Sequence, residues 1–153
     1  MPAEERSREL DRIIAQDPRS SLWRVLRGEL MLEQSRAGEA AEIADRLVSD
    51  FPPSDAVTCL RGRAQAAIGV CDPRTLEDLA RCRDHAGPPA LEAVLRCRVR
   101  AADWSAASSA LAAMGEEQRA ERPIRDLEKE VRKGLRQGDE EPVSIPVDAG
   151  DVD

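Results

Sequence analysis

The tetrapeptide Val25-Leu26-Arg27-Gly28 comes back as Cys59-Leu60-Arg61-Gly62, and again, with Cys for Gly, as Val94-Leu95-Arg96-Cys97. The steps are 34 and 35 residues. A recurrence at this interval marks a repeat protein, whose units bury their apolar faces only by stacking on their neighbours. Prolines punctuate the same period. Pro18 and Pro52 are 34 apart and Pro88 follows after 36. Each stands a few residues ahead of a helical pattern, where a missing N–H is tolerated.

The units are helical. Aromatic residues make up only 2% of the 153-residue chain, with no Tyr and one Phe. A sandwich or barrel would need β-branched and aromatic runs. Ala, Leu, Arg and Glu dominate instead, and these are strong helix formers. Apolar spacing predicts helices over about 4–16, 20–34, 38–50, 55–69, 73–86, 89–102 and 104–114. An eighth opens at Pro123 with the stripe Ile124, Leu127, Val131 and Leu135. Ser20 or Ser21, Ser54 or Asp55, Asp72 and Asp103 are the expected caps. Tight turns between short helices make antiparallel pairs, so the expected fold is all-α: helix-pair repeats in a short α-solenoid with a C-terminal capping helix. The repeat domain is placed at 1–137 and an acidic, disordered tail at 138–153.

Charge follows that division. The tail carries Asp139, Glu140, Glu141, Asp148, Asp151 and Asp153 without one base. Taking those six from the 30 acids leaves 24 against 23 bases, so the body is close to neutral. That argues against nucleic-acid binding, which needs a net basic surface. The charged start of the chain has no apolar leader core, and no stretch approaches a membrane span. The expected location is cytoplasmic, and the Ala/Arg-rich usage suggests a bacterial protein. Cys59, Cys71, Cys82 and Cys97 show no Cys-x-x-Cys spacing and are expected to be buried free thiols. Cys82 and His85 stand one helical turn apart, but a zinc site needs about four ligands and His85 is the only histidine. No metal and no cofactor is expected.

Helical pairs at this period resemble tetratricopeptide repeats. That family's first helix reads Trp-x-x-Leu-Gly-x-x-Tyr, and Trp23-x-x-Leu26-Arg27-x-x-Leu30 carries its Trp and Leu. Ala40, Ala44, Leu47 and Pro52 have the spacing of the second helix. The second unit fits through Leu76, Ala80 and Pro88 if its turn is two residues longer. The third fits through Leu95, Ala107, Leu111 and Met114 with a shorter turn. Where the family places Gly directly after Leu, this chain has Arg, and the small residue follows one later. The resemblance implies a groove lined by the first helices of each pair, in which a peptide or helix of another protein binds.

The recurring Arg27, Arg61 and Arg96, with Arg24, Arg63, Arg98 and Arg100, admit two readings. They are solvated side chains whose stems cover apolar surface, or a ladder in the groove that pairs with carboxylates of an acidic partner. Leu22, Val25 and Met31 are the apolar contacts that go with the second reading. Trp23 and Trp104 serve as core or as peptide anchors. The tail segment Pro142–Val147 is a solubilising extension or a docking motif, and the acidic tail is held to compete with an acidic partner for Arg61 and Arg96. Catalytic machinery is missing from the sequence: one His, no Gly-rich phosphate loop and no metal-spaced carboxylates. The expected function is a protein–protein interaction adaptor, one variant being a chaperone for a secreted or assembling subunit. The alternative is a fixed structural subunit of a larger complex, which an exposed stripe on the last helix would favour.

Overall fold

The computed structural model describes residues 1–82 and 87–140. Among them stand nine helices and no strand: α1 (Ala3–Gln16), α2 (Ser21–Glu33), α3 (Ala37–Asp50), α4 (Asp55–Ala67), α5 (Pro73–Ala80), α6 (Gly87–Arg100), α7 (Trp104–Ala112), α8 (Glu116–Ala120) and α9 (Arg122–Glu140). The caps follow from side-chain chemistry. Ser54 accepts from the Val57 N–H, Asp72 from Thr75 and Asp103 from Ala106, so three helices begin with an orphan donor satisfied. Ser20 precedes α2 without a side-chain cap bond. The short α8 lies where the sequence reads only as a polar break.

One turn is built three times. Ser35, Gly69 and Ala102 all have positive φ, at 59°, 93° and 52°. In each case the N–H of the following residue donates five residues back: Arg36 to Met31, Val70 to Gln65, Asp103 to Arg98. The left-handed residue itself donates three residues back, to Leu32, Ala66 and Val99. This is the Schellman arrangement, which satisfies the last carbonyls of a helix and reverses the chain. Three residues sharing this geometry are 34 and 33 apart, so the sequence repeat is also a repeat of backbone conformation. After its left-handed residue, the α4–α5 connection runs two residues further than the other two.

Each helix from α1 to α5 packs on the next, α6 packs on α7, and α9 closes on α6, α7 and α8. Additional contacts join α2 to α4 and α4 to α6. Alanine makes these approaches close: Ala40, Ala44, Ala64 and Ala107 are fully buried. The repeated leucines are not equivalent. Leu60 and Leu95 lie in the core, while Leu26 in the first unit is 36% exposed. The repeated glycines differ too. Where Gly28 would carry a Cβ it meets Leu60 of α4, whereas Gly62 meets Asp78 and the backbone of Leu79 in α5. The arginine–aspartate pair described below draws α5 onto α4 at that point.

The cysteines overturn the free-thiol expectation. Cys59 is bonded to Cys82, and Cys71 to Cys97, with Cα atoms 4.8 and 5.3 Å apart. No two have close spacing in sequence, because the bonds run between elements: α4 to the end of α5, and the α4–α5 turn to α6. Each closed loop contains one cysteine of the other, so the two bonds interlace around one small apolar cluster with Ala66, Leu79 and Ala90.

Two boundaries also move. α9 runs through Gly138 to Glu140, past the start assigned to the tail. α5 ends at Ala80. His85 and the Pro142–Val147 motif lie outside the described residues. No described helix is long and apolar enough to cross a membrane.

Candidate partner-binding surface

The helices that follow each connection between pairs, α2, α4 and α6, share one open cleft of about 260 Å³. Helical spacing puts the lining residues on one face of each. Leu32 comes from α2, and Arg63, Ala66 and Ala67 from α4, three and four residues apart. Pro89, Glu92, Ala93 and Arg96 come from α6 at the same spacing. The floor is apolar and built of small side chains, so the helices themselves form it rather than bulky residues.

Ion pairs edge the cleft. Arg63 reaches Glu29 of α2 at 3.5 Å, and its side chain is only 14% exposed. Arg96 pairs with Glu92 one turn back at 2.7 Å. Both guanidiniums are therefore already matched by carboxylates, and this part of the surface is neutral rather than basic. Glu29 also opens on a second, mostly apolar cleft between α1 and α2, lined by Leu10, Leu26 and Leu30 with Arg6, Glu9 and Glu33 at its edge. Arg6 pairs with Glu33 at 3.0 Å. That end carries more acid than base.

The three recurring arginines stand in three different clefts, not on one ladder. Arg27 turns to α1, where Asp11 lies 3.2 Å away and the Ser7 hydroxyl accepts at 3.0 Å. Arg61 turns to α5 and binds Asp78. Arg96 alone lines the α2–α4–α6 cleft. Of the flanking arginines, Arg24 lies over the Phe51 ring at 5.9 Å. Arg98 pairs with Asp103 at 3.3 Å, and Arg100 crosses the α4–α5 turn at Gly69. Sequence spacing alone fixes a helix face; which neighbour covers that face depends on the crossing.

Of the apolar candidates, Leu22 is 55% exposed and free to meet a partner. Val25 and Met31 are core residues, packed with Leu47 and Val57 and with Ala40 and Ala64 respectively. They hold α2 on α3 and α4, and a partner does not reach them. Sequence reasoning missed Glu29, Leu32, Ala66, Pro89, Glu92 and Ala93. The signal was present in the recurrence of residues three and four apart on α2, α4 and α6, but only packing tells which of several such faces stays open.

Three carboxyl groups outside the α2–α4–α6 cleft have pKa values below the ordinary range. Glu9 is held down by its hydrogen bond from Arg12, and the other two are Asp72 and Glu128. Asp72 is held down first by the backbone N–H of Thr75, then by the Thr75 hydroxyl. Glu128 of α9 is held down first by its hydrogen bond from Arg119, and Arg132 adds to it. Both serve structure: a helix cap, and a tie between α8 and α9. Among the described residues no group of three or more His, Cys, Asp or Glu side chains stands where it could hold a metal ion.

Comparison with protein-family models, with curated proteins and with solved structures finds no match to this chain.

Proposed function

We infer that this chain is an interaction adaptor of tetratricopeptide-like design: a short solenoid of helix pairs that holds an amphipathic helix of another protein along α2, α4 and α6. The observation that carries this reading is the mostly apolar cleft to which all three of those helices contribute, whose charged lining residues Arg63, Glu92 and Arg96 are each held in an ion pair. The threefold Schellman turn and the α2–α4 and α4–α6 contacts support the solenoid reading. A helix with one apolar stripe suits the floor, and flanking charges of both signs suit edges that are already paired. A strongly acidic partner is less well matched, because Glu29, Glu92 and Glu33 stand beside the arginines.

The stripe on α9 bears on the structural-subunit alternative. Ile124 and Val131 are buried with Leu95, Ala107 and Leu111, and Leu127 packs against them. Leu135, the fourth residue of the stripe, is 39% exposed. A stripe covered at three of its four positions supports α9 as the cap of the stack and weakens the reason for preferring a fixed subunit. The chaperone variant has the same groove and rests on no separate observation. The interlaced disulfides fit an oxidising compartment better than the expected cytoplasmic one.

Photo-crosslinking in the native cell tests the groove. A benzophenone amino acid at Ala67 or Ala93 should capture one and the same protein through a helical segment. The same probe at Ser108, exposed on α7, should not. Equal capture from Ser108, or different proteins from Ala67 and Ala93, would remove the groove from consideration.

A further inference from the structure

A third cleft, separate from the groove and from the α1–α2 cleft, lies between α1, α2 and α3 and measures about 270 Å³. Arg24, Arg27 and Arg46 converge on it, with Asp11 and Asp50. Its apolar side is formed by Ile14, Ile43, Leu47 and Phe51. Arg27 is occupied by Asp11 and Ser7. Arg24 is not satisfied: its Nε is buried without a hydrogen-bond partner, and one Nη reaches only the Pro18 carbonyl, at 3.4 Å. A buried guanidinium N–H left unpaired is costly and calls for an occupant. Arg46 makes no ion pair among the described residues, and neither does Asp50. Three arginines against two aspartates leave one positive charge in excess.

We propose that this cleft binds a small organic carboxylic acid with a short apolar body. The carboxylate accepts from the guanidiniums of Arg24 and Arg46, and its single charge neutralises the excess. The hydrocarbon lies against Ile14, Ile43 and Phe51. A dianionic phosphate overshoots the charge and faces Asp11 and Asp50. The volume sits below the roughly 300–1,000 Å³ of drug-sized sites, which limits the ligand to a few carbons beyond the acid.

The test uses 4-methylpentanoate as probe on the full chain, followed by ¹H–¹⁵N spectra that include arginine Nε–H signals. Saturable shifts of the Arg24 Nε–H and of the Asp50 and Phe51 amides are expected. The neutral isostere 4-methylpentanamide and inorganic phosphate should leave them in place. Arg46→Gln, at an exposed position with no ion pair among the described residues, should weaken binding about tenfold, the loss of one charge-assisted contact. Asp50→Asn removes the competing acid and should tighten binding. Equal shifts with the amide, stronger binding of phosphate, an unchanged affinity in Arg46→Gln, or no saturable shift with the acid would each overturn the proposal.

Discussion

Arg61 and Asp78 join α4 to α5 by two parallel hydrogen bonds, Nε to Oδ2 at 2.6 Å and Nη2 to Oδ1 at 2.9 Å. The side chains are 14% and 7% exposed. Gly62, next along α4, has no Cβ where Asp78 and the Leu79 backbone press in, so the pair can close. Donation to the Asp78 carboxylate holds the guanidinium pKa above its ordinary value. Removing one partner of such a pair strands the other charge in a poorly hydrated site. Asp78→Ala should therefore lower the unfolding free energy by about 3 kcal/mol in urea titrations, and adding Arg61→Leu should restore much of it. A loss under about 1 kcal/mol, the scale of an exposed ion pair, would contradict this.

The repeated turn separates two substitutions of opposite sign. Gly69 has φ +93°, and an added Cβ would lie 2.8 Å from Arg100 Nη1. Gly69→Ala should cost about 1–2 kcal/mol from the left-handed backbone alone. Ala102 occupies the equivalent position at φ 52° and is exposed. Ala102→Gly should gain up to about 1 kcal/mol, a rise of about 2–4 °C in Tm. Thermal melts of the two variants that moved in the same direction would show that the turns are not equivalent.

The disulfides close loops with sequence separations of 23 and 26 residues. Chain-entropy reasoning gives each about 3 kcal/mol. Their loops overlap, so the second bond formed should add less than the first. A thiol assay on the unreduced, denatured protein should find no free thiol, and reduction should lower the urea midpoint. Four free thiols before reduction would restore the expectation drawn from spacing. Cys71→Ala with Cys97→Ala leaves the buried Cys59–Cys82 bond and should retain the fold.

The lowered carboxyl groups set the acid side of the stability curve. Asp72 and Glu128 both have folded pKa values below their unfolded ones. Their stabilisation is complete above the unfolded values, about 3.9 and 4.3, and is lost as pH falls through the folded values. The unfolding free energy should be flat with respect to these groups near neutrality and fall below about pH 4. Glu128→Gln should make that fall shallower. An unchanged slope would mean that Arg119 and Arg132 do not favour the ionised form.

Local features of the fold were legible in the chain, and long-range ones were not. Asp72-Pro73 and Asp103 announce helix starts because cap and first turn are written within four residues. The period announces the repeat. The disulfides were hidden because Cys59 and Cys82 meet only when α4 and α5 cross. The arginine ladder failed for the same reason. Arg27, Arg61 and Arg96 hold equivalent places on their helices, yet the nearest acids, Asp11, Asp78 and Glu92, lie on a preceding helix, a following helix and the same helix. Val25 and Met31 belong to a helix with more than one apolar face, and only packing decides which face is covered. Gly134 carried no readable signal, since the ring that needs it arrives from α7.

That last contact gives the test of how α9 is fixed. The Trp104 indole lies directly on the backbone of Gly134, and a Cβ added there would overlap the ring. Trp104 also packs beside Leu95, Ile124 and Val131, so the ring is wedged between α9 and the cluster beneath it. In a free helix Gly134→Ala would stabilise by about 1 kcal/mol through propensity. Here the overlap is with an aromatic ring held by its neighbours, and overpacking of this kind costs about 1–3 kcal/mol. The net effect should be destabilising, with faster amide exchange in α9 and little change in α2 and α3. Trp104→Leu with Gly134→Ala should recover stability relative to Gly134→Ala alone, because the smaller side chain leaves room for the methyl group. If the single variant is instead more stable than the parent chain, α9 does not rest on Trp104 and the capping reading loses its anchor.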